Sequence, residues 1–180
     1  MYNFELNMKV VVISGSPREN ANTEIMMKHV VEYVKQKDVE VKFINLSEGG
    51  FEYYRGWVDD YNEKTLQAAK DITEADVWLV GTPIYNSMFS AALKNLFEFI
   101  NYKETAGKTA GLAIIASSTI GFTDVQTLLL QLMSYFRVVT NPTPVFVTAD
   151  KMEDGKIIDE DVKSRLNQMV DKTLELAKSS

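Results

Sequence analysis

Residues 10–17 read VVVISGSP, an uninterrupted β-branched run that is followed at once by a loop of serine, glycine and proline. An apolar run of this length is typical of a strand that is buried on both faces, as the strands of a parallel sheet are. Two further runs have the same form, since residues 77–80 (VWLV) end at GTP and residues 112–116 (LAIIA) end at two serines. The three runs therefore predict the central strands of a parallel sheet.

Two other segments have features that edge strands tolerate. Residues 39–43 alternate apolar and polar side chains, and residues 138–147 contain Pro142 and Pro144. Proline has no N–H to donate to a neighbouring strand, and alternation suits a strand with one solvated face. These segments therefore predict the two edge strands.

Amphipathic stretches separate the five predicted strands. Their apolar residues recur at three- and four-residue spacing, which places them on one face of a helix. The stripes are Met26, Val30, Tyr33 and Val34; Leu66, Ala69 and Ile72; Phe89, Leu93, Leu96, Phe97 and Ile100; Val125, Leu128, Leu129, Leu132, Met133 and Phe136; and Val162, Leu166, Met169, Val170 and Ala177. Strict alternation of strand and helix predicts an α/β fold with a five-stranded parallel sheet in the order 2-1-3-4-5 and helices on both faces.

The chain has 180 residues, no cysteine, one histidine and a formal net charge of -6. A single core commonly reaches this size, so we expect residues 1–180 to form one domain. Residues 1–7 are an N-terminal extension if the chain starts at Met8. The missing cysteines exclude disulfides, iron–sulfur clusters and cysteine-rich zinc sites, and we expect no metal site.

Charge and hydropathy exclude further classes of protein. The acidic balance offers no basic stripe for nucleic acid. No apolar run approaches the roughly 20 residues of a membrane span, and the N-terminus lacks the pattern of a signal peptide. We therefore expect a cytoplasmic protein that does not bind nucleic acid or membrane.

The loop after the first strand, residues 14–23, opens a helix. N–H groups at the start of a helix favour a bound anion, and Ser16, Asn22 and Thr23 add neutral donors while Arg18 adds charge. A phosphate monoester fits such a loop. The alternative is that Asn22 or Thr23 only caps the helix.

Two more loops leave the same edge of the predicted sheet. Residues 81–88 (GTPIYNSM) combine proline, an aromatic ring and small polar groups, which suits a flat heteroaromatic ligand or, equally, a sharp turn. Residues 117–122 offer hydroxyls and backbone donors for a polar ring edge, although Ser117 or Thr123 is also a candidate helix cap. Ligands of open parallel sheets bind at this edge, so the three loops predict a binding site.

Together the three loops resemble the NADPH-dependent FMN reductase family, whose members have the flavodoxin-like fold. Residues 15–18 (GSPR) with Asn22-Thr23 resemble its phosphate loop. Residues 81–85 (GTPIY) and 92–95 (ALKN) resemble its second signature, and residues 154–158 (DGKII) resemble the approach to its last helix. The similarity covers nearly the whole chain, and the family includes azobenzene reductases and flavin reductases.

This resemblance implies a flavodoxin-like three-layer sandwich that binds FMN and uses NAD(P)H as co-substrate. The implied FMN contacts are, for the phosphate, Ser16, Arg18, Asn22 and Thr23; for the isoalloxazine, Pro83, Ile84, Tyr85, Asn86 and Ser87; and for its polar edge, Ser117, Ser118, Thr119 and Gly121. No catalytic side chain is implied, because the flavin carries the chemistry. A small-molecule electron acceptor and a homodimer or homotetramer are also implied.

Two departures from the family pattern stand out. The third loop is commonly glycine-rich in the family, whereas only Gly121 occurs here. Iron–sulfur relatives have a cysteine cluster where this chain has residues 51–61, which contain no cysteine.

The resulting hypothesis is an NAD(P)H-dependent FMN oxidoreductase that reduces a quinone, an azo compound or free flavin by a ping-pong mechanism. A flavodoxin-type electron carrier is the alternative, although Arg18 in the phosphate loop favours the reductase. A cofactor-free interaction domain is a third hypothesis.

Other residues have ordinary structural interpretations. His29 has no partner near it in sequence, so a structural role is expected. Tyr53, Tyr54 and Trp57 indicate core or interface packing, with a lid over the ligand as the alternative. The acidic residues Asp59, Asp60 and Glu63 fit an exposed helix start better than a metal site.

Overall fold

Helices and strands alternate along the chain in the computed structural model, which describes residues 8–58 and 60–179. Residues 1–7 and Asp59, which entered the expectations above, lie outside the described residues. The elements are β1 (Lys9–Ser14), α1 (Asn22–Val34), β2 (Glu40–Asn45), α2 (Glu63–Glu74), β3 (Val77–Tyr85), β4 (Met88–Phe89), α3 (Ala91–Glu98), β5 (Thr109–Ala116), α4 (Phe122–Tyr135), β6 (Val139–Thr140), β7 (Val145–Thr148), β8 (Met152–Glu153), β9 (Lys156–Ile157) and α5 (Glu160–Ser179).

The central sheet has the order β2-β1-β3-β5, and both β6 and β7 pair with β5. All of these pairings are parallel. The predicted fold and strand order are therefore confirmed, with one difference in the fifth strand. That strand is divided into β6 and β7, because the segment between them contains Pro142 and Pro144, which lack the N–H that a continuous strand donates.

Helices cover both faces of the sheet, as predicted. On one face of the sheet, Val10, Val12 and Leu79 pack with α1 and α5. On the other face, their neighbours in sequence Val11 and Trp78 pack with α2, α3 and α4. This division follows from the alternation of side chains along each strand. None of the helices in the described part of the chain combines the length and the apolar character that a membrane span requires.

The segment after β3 differs from the prediction of a loop over residues 81–88. β3 continues to Tyr85, and an antiparallel hairpin joins it to β4 through Asn86 and Ser87. These two residues have φ of 49° and 62°, the positive values required at both centres of a type I′ turn. Pro83 and Ile84 are therefore strand residues, and a hairpin presents this part of the predicted site.

Trp78 generates a prediction about stability. Its side chain is fully buried, its ring lies 5.6 Å from Phe97, and its Nε1 donates a 2.9 Å hydrogen bond to the Ile72 carbonyl. Trp78→Phe leaves that carbonyl unpaired, so we expect a loss of about 1–3 kcal/mol in the free energy of unfolding, measured by urea denaturation. Trp57→Phe is the control, since Trp57 is 73% exposed and should change stability by less than about 0.5 kcal/mol. Equal effects would contradict the assignment.

Candidate functional site

The carboxyl ends of β1, β3 and β5 lie side by side. Ser14 pairs in register with Gly81, and Gly81 pairs with Ala113. Each of the three predicted loops therefore leaves the sheet at the same edge, next to the N-terminus of α1. This is the edge where open parallel sheets bind their ligands.

A close backbone contact fixes the start of the first loop. The Gly15 N–H donates to the Gly81 carbonyl at 2.8 Å, and the Ser90 hydroxyl donates to the Gly15 carbonyl. A Cβ at Gly15 would lie 2.7 Å from the Gly81 carbonyl oxygen, which is too close for any side chain. Ser90 also accepts a 3.0 Å hydrogen bond from the Leu93 N–H and so caps α3. The loop and the start of α3 are thereby held together.

The start of α1 has no side-chain cap. The N-cap is Ala21, and no side chain among the described residues accepts a hydrogen bond there, so the alternative that Asn22 or Thr23 caps the helix is wrong. Both residues lie in the first turn, where N–H groups have no carbonyl partner within the helix. The positive end of the helix dipole thus faces the first loop and favours an anion.

Ser14 supplies a second, independent indication of a ligand. Its side chain is fully buried, and its Oγ has no hydrogen-bond partner in the described part of the chain. Ser14 follows Val10 and Val12 in the alternation of β1, on the face that α1 covers. A buried hydroxyl without a partner is costly, so a bound polar group is expected beside it. The uncapped helix and this hydroxyl together fit the oxygens of a phosphate.

The structure brings Ser16 and Tyr85 together. Their hydroxyl oxygens lie 3.1 Å apart, although 69 positions separate the two residues in sequence. Ser16 is fully buried and also accepts a 3.2 Å hydrogen bond from the Arg18 N–H, whereas the Arg18 side chain is exposed. The first loop is therefore joined to the β3–β4 hairpin.

The third loop reaches the hairpin through Gly121. A Cβ at Gly121 would lie 3.6 Å from the Ile84 side chain and 4.0 Å from the Ser87 Cα. Gly121, with φ of 84°, is the N-cap of α4, and no side chain in residues 8–58 or 60–179 caps this helix, so the suggestion that Ser117 or Thr123 caps it is wrong. The other predicted FMN contacts of the third loop are exposed residues, namely Ser117, Ser118 and Thr119.

Two residues of the candidate site, Ser14 and Ser90, were not predicted from the sequence. Ser90 precedes an amphipathic helix, so a capping signal was present, but its contact with Gly15 depends on the folded arrangement. Ser14 had no distinguishing signal, because a serine that ends a strand resembles any loop serine. Only its burial identifies it.

The first turn of α1 is tied to the end of β2. Glu24, whose side chain is 13% exposed, pairs with Lys28 at 2.6 Å and accepts a 3.1 Å hydrogen bond from the Ser47 hydroxyl. The Lys28 hydrogen bond is the main reason that the pKa of the Glu24 carboxyl lies below its usual value; burial opposes it, and Ser47 and Asn45 lower the pKa further.

In the aromatic segment after β2, one side chain packs against other rings and two are exposed. Tyr54 stacks on Tyr61 at 6.4 Å and meets Phe99 edge-on at 5.2 Å, which supports the packing interpretation. Tyr53 is 84% exposed and Trp57 extends from the cluster towards solvent. An open groove of about 1720 Å³ runs from Tyr85 and Asn86 over the outer side of α3, with Tyr54 and Trp57 along its margin.

The remaining candidates have structural partners. His29 Nε2 lies 2.9 Å from Asn167 Oδ1, which joins α1 to α5 as expected for a structural histidine. Asp60 pairs with Arg55 at 3.1 Å, and Glu63 opens α2 beside the Asn62 cap. Within residues 8–58 and 60–179, no group of three or more acidic, histidine or cysteine side chains is arranged to hold a metal.

The fold is that of a flavodoxin-like α/β protein, with the first loop at the switch in strand order. The family model for NADPH-dependent FMN reductases matches residues 8–153, and the chain belongs to this family. It is therefore an oxidoreductase that uses FMN, with NAD(P)H as co-substrate.

Several known proteins resemble the chain. An NAD(P)H-dependent FAD/FMN reductase of Geobacillus thermodenitrificans is 26% identical over 166 residues, covering 90% of this chain and 89% of the relative. An FMN-dependent NADPH-azoreductase of Staphylococcus aureus is 30% identical over 111 residues, 58% of each chain. The solved structure of a flavoenzyme NAD(P)H:acceptor oxidoreductase from Paracoccus denitrificans superposes with a TM-score of 0.77 at 22% identity, covering 96% of this chain and 98% of the other.

Glu24 generates a prediction about pH. Because its folded-state pKa is lowered, its contribution to stability is complete above the ordinary value of 4.5 and is lost as the pH falls through the folded-state value. We expect Glu24→Gln to destabilise the protein by about 1 kcal/mol at pH 7 and by progressively less below pH 4.5. Thermal unfolding measured across this range tests it.

Glu32→Gln is the matched control for this experiment. Its carboxylate is 68% exposed and pairs with Lys35 at 2.7 Å on the surface of the same helix, so little change in stability is expected. A destabilisation by Glu24→Gln that stays constant down to low pH would contradict the assignment to a hydrogen-bonded carboxylate.

Proposed function

We propose that the chain passes hydride from NAD(P)H to FMN and on to a quinone, an azo compound or free flavin by a ping-pong mechanism. The observation that carries this proposal is a feature that suits the FMN phosphate: the start of α1 has no side-chain cap, and the buried Ser14 hydroxyl has no hydrogen-bond partner in the described part of the chain. The names of the relatives, which include flavin reductases and an azoreductase, support flavins and azo compounds among these acceptors.

The first loop would hold the FMN phosphate. Ser16 supplies a hydroxyl, Arg18 supplies charge, and the first-turn N–H groups of Asn22 and Thr23 point to the anion. The Ser14 hydroxyl, which has no partner in the described part of the chain, would join the set only when the loop above it opens. This arrangement binds the cofactor at its charged end and leaves the ring to the hairpin.

The hairpin and the third loop would position the ring. Three residues end β3, where Pro83 pairs with β5 while Ile84 and Tyr85 pair with β4. The tight turn that follows presents Asn86 and Ser87. The polar edge would face the third loop, at Ser117, Ser118, Thr119 and Gly121. When bound, FMN supplies the hydride chemistry, so the chain's own contribution is binding, orientation and backbone donors. We assign no catalytic side chain.

A turnover measurement tests the proposed function. Purified protein with FMN should oxidise NADPH or NADH when a quinone, an azo dye or free flavin is present, with parallel lines in double-reciprocal plots as the sign of a ping-pong cycle. Tight FMN binding with negligible nicotinamide oxidation would instead indicate a flavodoxin-type carrier. No change in flavin fluorescence or thermal stability would indicate an interaction domain without cofactor.

A substitution in the first loop tests whether FMN binds at this site. Arg18→Ala should weaken FMN affinity about tenfold through loss of a charged phosphate contact, without a change in unfolding. The control is Arg137→Ala, an exposed arginine that follows α4 at the opposite edge of the sheet. An affinity that is unchanged in Arg18→Ala would show that this side chain is only a solvated charge.

We further infer that two or four copies associate through the groove over α3. Its volume of about 1720 Å³ exceeds the roughly 300–1,000 Å³ of a small-molecule site. Tyr102 and Tyr135 line it with rings 5.5 Å apart, and Tyr135 is 61% exposed. Exposed aromatic residues are enriched at interfaces, which supports a second copy as the occupant. A cytoplasmic location stays our prediction, consistent with a reductant that cells hold internally.

Tyr135→Glu tests the proposed interface. A buried unpaired carboxylate is costly, so we expect this variant to shift the protein from dimer or tetramer towards monomer in light-scattering measurements. Ile158→Glu is the control, because Ile158 is 52% exposed and lies outside the groove. A wild-type monomer, or the same mass for wild type and Tyr135→Glu, would contradict the proposal.

A further inference from the structure

Ser16 has an unusual position for a residue that receives a ligand. Its side chain is completely buried, yet the loop residues that follow it, 17–20, are exposed. The hydroxyl is enclosed because the Tyr85 hydroxyl lies 3.1 Å away and the Arg18 N–H points to the same oxygen at 3.2 Å. A phosphate oxygen therefore has no free approach to Ser16 Oγ in this conformation.

Tyr85 is presented by a rigid element. It pairs with Met88 across the hairpin, and the two intervening residues have positive φ, which defines a tight turn. The loop opposite is held less firmly. The Ser16–Tyr85 hydrogen bond is the only one recorded between residues 16–20 and any residue beyond the loop in the described part of the chain. One hydrogen bond therefore joins an exposed loop to the hairpin.

We propose that the Tyr85 hydroxyl closes the phosphate loop in the unloaded protein and is released from Ser16 when the FMN phosphate binds. Tyr85 is then a positioning residue that controls access of the cofactor. The inference rests on the proposed phosphate site. Since only the open loop accepts the phosphate, the observed affinity is the intrinsic affinity reduced by the fraction of open loop.

If Tyr85 has this role, removal of its hydroxyl alone should strengthen FMN binding. Tyr85→Phe keeps the ring and removes the hydroxyl, so the loop opens more often while the ring surface is preserved. We expect FMN to associate about fivefold faster and to bind more tightly, a factor that corresponds to about 1 kcal/mol for one hydrogen bond. A residue with only a structural role would weaken binding on substitution.

Tyr33→Phe is the matched control. The Tyr33 hydroxyl donates a 2.7 Å hydrogen bond to Asp171, between α1 and α5 and away from the loop. This substitution also deletes one partly buried tyrosine hydroxyl, but it should leave FMN association unchanged. Stopped-flow measurement of flavin fluorescence on mixing each protein with FMN gives the rates.

Amide hydrogen exchange of the FMN-free protein provides a second readout. Exchange at residues 17–20 should be faster in Tyr85→Phe than in wild type or Tyr33→Phe. If Tyr85→Phe fails to fold, Ser16→Ala removes the same hydrogen bond from the other side. This variant should also speed exchange in the loop, while its FMN affinity falls because a phosphate partner is lost.

The outcomes separate the inference from the proposed site. FMN binding that is slower, weaker or unchanged in Tyr85→Phe, with wild-type binding intact, would overturn the closing role of Tyr85 alone. No FMN binding by the wild-type protein would overturn the proposed phosphate site and this inference together.

Discussion

The contact between Gly15 and Gly81 is the constraint on which the site depends. The 2.8 Å hydrogen bond between their backbones continues the pairing of β1 with β3 one residue past the end of β1. Met27 of α1 packs so closely on Gly81 that a Cβ there would lie 2.3 Å from its Sδ. Ser90 binds the Gly15 carbonyl from the start of α3. Two strands and two helices therefore converge on this pair. A side chain at Gly15 would collide with the backbone of β3, and one at Gly81 would displace the Met27 side chain.

Much of the fold could be predicted because its signals are local. The apolar runs at residues 10–13, 77–80 and 112–116 indicate buried parallel strands. Parallel strands need crossover helices between them, and this requirement determines the rest of the topology. The extension of β3 could not be predicted, since glycine and proline at residues 81–83 are typical of a loop. Beyond Gly81, β3 no longer pairs with β1, and Pro83 is recorded only with Ile115 of β5. A strand with a neighbour on one side tolerates a missing N–H.

The candidate site was predicted in outline and not in its contacts. The three loops follow neighbouring strands, so their meeting at one edge follows from topology. Helix capping by Asn22, Thr23, Ser117 or Thr123 is a frequent role of such residues, but the actual caps are Ala21 and Gly121. The bond from Ser16 to Tyr85 depends on the position of the hairpin, which was itself not foreseen. Long-range pairing of polar side chains has no local signal in one sequence.

The divided fifth strand has a consequence for how the molecule meets its neighbours. The edge of the sheet beside β5 consists of a two-residue and a four-residue strand, and between them the fully buried Asn141 binds the Met169 carbonyl of α5. A long, straight edge strand would be a template for another chain to add to the sheet. Here the prolines interrupt the edge strand, and the Asn141 side-chain amide holds this segment against α5. Addition of another chain to the sheet is therefore disfavoured at this edge, whereas β2 forms a continuous strand at the other.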